Sequence, residues 1–107
     1  MIIVIDKGVK KMRYYDNKVH EVVKMSLDNL RASRFWEEQA DEARAMNEHN
    51  HYGLDYALNK ADKLKSIAYV LYDISKQMRT AQGQRKVKLF NRAQEVDLEA
   101  YSIENDY

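Results

Sequence analysis

Leu54, Ala57, Ala61, Leu64, Ala68, Leu71, Ser75 and Met78 are spaced 3, 4, 3, 4, 3, 4 and 3 residues apart. An unbroken heptad seam of this length predicts a long helix packed along its whole length against another helix. The seam alternates bulky with small residues, and the small ones let helix axes approach closely. It constrains shape and leaves activity open. Any function has to be read from what the helices carry on their surfaces.

The rest of the chain reads as elements built around that seam. There is no proline, and the three glycines stand at 8, 53 and 83, where they punctuate the pattern. Residues 1–8 open on β-branched and apolar residues, which predicts a short extended N-terminal arm. A first helix is expected over 16–48, with Asp16 as its N-cap and a stripe of Val19, Val22, Val23, Leu30, Ser33, Trp36, Ala40 and Ala43. Leu27 and Phe35 lie off that stripe. Without proline the helix is expected to continue through Arg31–Arg34.

Glu48–Gly53 reads as the first turn, and the seam helix follows over 54–81. The short turn makes the two helices antiparallel. Counting outward from it sets Ala43 against Ala57, Ala40 against Ala61, Trp36 near Leu64 and Leu30 near Leu71. The seam helix carries Ile67, Val70 and Ile74 on a second face, which implies a second neighbour. That neighbour is a third helix over 84–103, with Leu89, Ala93, Val96, Ala100 and Ile103 in line and Phe90 beside them. The fold class is all-α, an elongated antiparallel three-helix bundle running up-down-up. The 107 residues form a single helical domain.

Composition narrows the chemistry. The chain has no cysteine, so it has no disulfide and no thiolate site. Its longest apolar runs are too short to span a bilayer, and no charged lead precedes the apolar start as in a signal peptide. The expected setting is soluble and cytoplasmic.

The net charge is only +1, but its distribution is uneven. Between Lys76 and Gln94 stand Lys76, Arg79, Arg85, Lys86, Lys88 and Arg92, with no acid. Lys7, Lys10, Lys11, Arg13 and Lys18 are opposed by Asp16 alone. Up-down-up topology brings the two segments to one end, giving +6 and +4. The opposite end gathers Glu37, Glu38, Asp41, Glu42, Glu48 and Asp55 against Arg44, and then Glu95, Asp97, Glu99, Glu104 and Asp106, each group summing to −5. Two of the three helices begin at the basic end, where their macrodipoles favour acids. The cations stand there against that preference. This points to phosphate binding at a helix N-terminus, with Tyr14 and Tyr15 as faces on which bases stack.

Other constellations are weaker. Glu48 and His51 make a single E-x-x-H pair, which a di-metal bundle needs twice in a core, so no metal is expected. Asp6, Asp16 and Lys18 would need a sheet to act as a nuclease centre. His20 has no nucleophile to serve. No enzyme, cofactor or small-molecule substrate is expected.

The expected function is a non-catalytic binding protein. It engages nucleic acid, or a protein that handles nucleic acid, through Lys10, Lys11, Arg13, Lys76, Arg79, Arg85, Lys86, Lys88 and Arg92. The alternative is a regulator or inhibitor, of the kind mobile elements encode, that binds a host nucleic-acid-processing or defence protein. It would use Glu37, Glu38, Asp41 and Glu42 with Tyr52 and Tyr56, tyrosine being favoured where an interface is half wet. A homo-oligomer, at its simplest a dimer, is the third expectation, because helices of unequal length leave apolar surface uncovered.

Overall fold

The computed structural model describes the backbone of residues 2–45 and 51–105, and the side chains of 17–45 and 53–105. It contains three helices: α1 (Ile2–Ala45), α2 (His51–Thr80) and α3 (Gln84–Asn105). All described elements are helical, and α2 packs against both α1 and α3 while those two meet least. The seam helix is therefore central. Its eight seam residues are buried, except half-buried Leu54.

The expected N-terminal arm and the Asp16 cap are corrected. Ile2 onward is helix, continuous with the rest of α1, and Asp16 lies inside it. A lone strand leaves its backbone donors and acceptors unpaired, whereas a helix satisfies them within itself. Extending an existing helix also avoids the cost of a new nucleus. Continuity through Arg31–Arg34 holds as expected. Gly53 does not end a turn but lies in the first turn of α2. Residues 46–48 of the expected first helix, and with them the start of the expected turn, lie outside the described residues.

The true seam of α1 is Val19, Val22, Ser26, Asn29, Ser33, Trp36, Ala40 and Ala43, again spaced 3 and 4 without a break. Ser26 and Asn29 are buried, whereas Val23 and Leu30 are only half-buried at the flank. Hydropathy picked the flank because the seam positions are polar. Their polarity is satisfied. Ser26 Oγ donates to the Ala68 carbonyl at 2.7 Å, and Ser33 Oγ donates to the Ala61 carbonyl at 2.7 Å.

Those two bonds fix the register, and they correct the expected one. Ala61 faces Ser33, not Ala40, so α1 is displaced by one heptad. Registers one heptad apart present nearly the same pattern of large and small residues, so burial pattern alone does not choose between them. The Ser26 and Ser33 bonds mark which of the two the chain adopts.

α3 covers a line that recurs every seventh residue, Lys60, Ile67 and Ile74 of α2 and Ala81 just past its end, all buried. Val70, expected on this face, is 45% exposed and lies outside it. α3 contributes Phe90, Ala93, Val96 and Ala100 to the core, with Leu89 and Ile103 packed at its edge. The α2–α3 link is tight. Gly83 has φ +61°, and its carbonyl accepts from Lys86 N–H at 3.1 Å to open α3.

The helices are unequal, and the register says where they end. Carrying the Ser26–Ala68 pairing upward sets Arg13 level with Ala81. Residues 2–12 of α1 therefore continue beyond the α2–α3 link by about 16 Å. The molecule is 71 Å long for that reason, although the 30 residues of α2 span only about 45 Å. At the other end α3 stops level with Lys60, whose ammonium reaches the Glu104 carbonyl at 3.0 Å. Beyond it α1 and α2 run on as a pair.

Candidate nucleic-acid interface

The six bases between Lys76 and Arg92 straddle the α2–α3 link. Lys76 and Arg79 occupy the last turns of α2, and Arg85, Lys86, Lys88 and Arg92 the first turns of α3. Lys86 is half-buried and the other five are exposed. The first turn of α3 contains no acid, so its partly positive N-terminus is left without a carboxylate from its own helix.

Not all of these cations face outward alone. Arg92 Nη1 lies 3.5 Å from Glu95, just past the acid-free stretch. Lys76 Nζ lies 5.0 Å above the Tyr72 ring. On α1, Lys18 pairs with Glu21 at 2.9 Å and sits 5.3 Å from the Phe90 ring, which ties it to α3. Lys10, Lys11 and Arg13 belong to the part of α1 at this same end. Their side chains, like those of Lys7, Tyr14 and Tyr15, lie outside the described residues. α1 and α3 run parallel, since Lys18 meets Phe90 and Asn29 Nδ2 donates to Asp97 Oδ1 at 3.1 Å farther along.

The acids divide differently from the expectation. Glu37, Glu38, Asp41 and Glu42 are exposed on the last turns of α1, where Arg44 approaches Asp41 at 3.5 Å. The acids of α3 do not reach that tip, because α3 ends early. Glu95, Asp97, Glu99 and Glu104 are spread from mid-bundle to the end of α3. Asp97 is held by Asn29 and is only half-exposed. The side chain of Tyr52 lies outside the described residues, as do Glu48, His49, Asp106 and the His51 ring.

Where α3 stops, an aromatic cage closes over Lys60. This lysine is only 6% exposed. Its ammonium lies 4.7 Å from both the Trp36 and Tyr56 rings while bonding the Glu104 carbonyl. Trp36 stands edge-on to Phe35 at 5.4 Å and to Tyr56 at 5.7 Å. A cation on the final carbonyls of a helix meets both the unsatisfied acceptors and the negative end of the dipole. Tyr56 is thus half of a structural clamp. A lysine hardly reads as core in a sequence, but its seven-residue spacing from Ile67 and Ile74 is a legible signal.

Among the described residues no cluster of three His, Asp or Glu side chains is placed to hold a metal ion, and no helix is long and apolar enough to cross a membrane. Compared with protein-family models, curated proteins and solved structures, the chain matches none.

Proposed function

We propose that this chain is a non-catalytic protein that binds nucleic acid through phosphates at its basic end. One observation supports the reading above all. Six bases and no acid flank the opening of α3, at the end where the basic stretch of α1 also lies. Backbone N–H groups at a helix N-terminus and exposed guanidinium and ammonium groups are complementary to phosphate oxygens. Such contacts carry affinity and no sequence preference.

The test is a gel-shift titration against salt, using generic duplex and single-stranded probes. Affinity is expected to fall steeply between low and physiological salt. Arg85→Glu with Lys88→Glu is expected to weaken binding at least tenfold and to flatten the logarithmic salt slope by roughly two. Both positions are exposed, so the bundle should stay folded. No binding at low salt, or binding indifferent to salt, refutes the proposal.

A second reading rests on the opposite tip. Phe35 is 52% exposed one turn before the exposed acids Glu38, Asp41 and Glu42, an apolar ring next to a carboxylate cluster that suits a basic protein surface. Capture from lysate with and without nuclease separates the two readings. A partner that persists after digestion and is lost with Phe35→Ser supports a protein regulator, and one that disappears with digestion supports the first reading.

A further inference from the structure

One long face of the bundle lacks a neighbour. α3 covers the flank defined by Lys60, Ile67 and Ile74 of α2 and by Met25 and Ala32 of α1. The opposite flank begins where Ser26 meets Ala68. The next residue on each helix, Leu27 and Tyr69, remains 48% and 60% exposed. Tyr72 is 46% exposed one turn on, and Val23 and Leu30 are half-buried beside it. These five residues form an apolar band two turns long on α1 and one on α2, with exposed Lys65 at its edge. In a four-helix bundle this is where the fourth helix would lie.

We propose that the band docks a second copy of this chain, antiparallel and side by side, about a two-fold axis passing near Leu27 and Tyr69. Three observations select that occupant and direction. First, Leu27 lies within four residues of the middle of α1 (Ile2–Ala45), so an antiparallel copy centred there overlaps residues 9–45 of the first. Second, Glu37, Glu38, Asp41 and Glu42 are exposed on the last turns of α1, and Lys76 and Arg79 are exposed on the last turns of α2, at the opposite end. The antiparallel arrangement sets basic end beside acidic end in both halves, whereas a parallel one stacks like charges.

Third, the complementarity reaches single residues. Asp62 and Lys76 stand seven positions before and seven after Tyr69, on the same line of α2, and both are exposed. A two-fold axis through Tyr69 sets Asp62 of one copy against Lys76 of the other, twice. The matching positions about Leu27 are His20 and Arg34, which offer no attraction, so the pairing energy comes from α2 and from the two ends. A self-complementary contact of this kind closes at two copies. It rests on the uncovered band and not on the function proposed above, although Lys76 belongs to both surfaces.

Sedimentation equilibrium on nucleic-acid-free protein tests this. The expected mass is twice the 12.7 kDa of the chain. Leu27→Glu or Tyr69→Glu is expected to return the mass to one copy with helicity unchanged, both sites being exposed. Asp62→Lys and Lys76→Asp, made singly, are each expected to weaken the dimer roughly tenfold, since each reverses two contacts. Combined in one chain they are expected to restore it, which only the antiparallel arrangement allows. A single copy at all concentrations overturns the proposal. So does a dimer that survives Tyr69→Glu, or one that the combined charge reversal fails to rescue. A protein that dimerises yet shifts no nucleic acid upholds this inference and refutes the function proposed above.

Discussion

At the scale of single residues, the polar members of the core set its geometry. Ser26, Asn29, Ser33, Lys60 and Ser75 are buried and each has a partner, and no buried side-chain polar atom among the described residues is left without one. Lys60 is the most exacting. Lys60→Met keeps the stem and removes the charge from the aromatic cage and from the Glu104 carbonyl. The expected cost is about 1–3 kcal/mol, with faster amide exchange confined to the last turn of α3. Lys60→Arg retains the charge and should restore most of the protection. Asn29 bridges all the way to α3 through Asp97 and also bonds the Met25 carbonyl at 2.8 Å. Asn29→Ala is expected to lower stability by about 1–3 kcal/mol in urea unfolding.

At the scale of elements, two glycines make opposite predictions. Gly53 lies in the first turn of α2, and nothing stands within 4 Å of where a Cβ would go. Gly53→Ala is expected to stabilise by about 0.5–1 kcal/mol, because it lowers the entropy of the unfolded chain. Gly83 has equally open surroundings but φ +61°. Gly83→Ala meets no neighbour, yet strains its backbone by about 1 kcal/mol. Paired denaturation curves check both signs: a loss at both would contradict the helical placement of Gly53, and a gain at both the positive φ of Gly83. Within α2, Leu64 and Leu71 are fully buried on the seam. Leu71→Ala is expected to cost about 2–5 kcal/mol.

At the scale of the whole molecule, the unequal helices divide the chain into parts with different duties. The bundle proper runs from the α2–α3 link to the end of α3, and α1 continues past the link at the basic end. Deleting residues 2–12 removes helix that has no α2 or α3 alongside it. About a tenth of the circular-dichroism signal should go, while the thermal midpoint moves by only a few degrees. The same deletion removes Lys7, Lys10 and Lys11. It is therefore expected to weaken nucleic-acid binding far more than stability, and the two readouts separate the roles.

The sequence by itself determined three helices, their order, the central place of α2 and nearly its entire seam, because heptad spacing is a local property that burial must obey. It also determined that bases and acids sit in separate stretches of chain. It yielded the seam of α1 at both ends but put Val23 and Leu30 in place of Ser26 and Asn29, which are polar and which hydropathy passes over. It did not yield the register, since a sevenfold repeat fits its partner almost equally well one repeat away. Tertiary structure decided both, and the Ser26–Ala68 and Ser33–Ala61 bonds mark the alignment adopted. From the register followed the stretch of α1 beyond the link, the early end of α3, the clamp on Lys60 and the uncovered band around Tyr69. These depend on how far one helix slides along another, which distant side chains settle together.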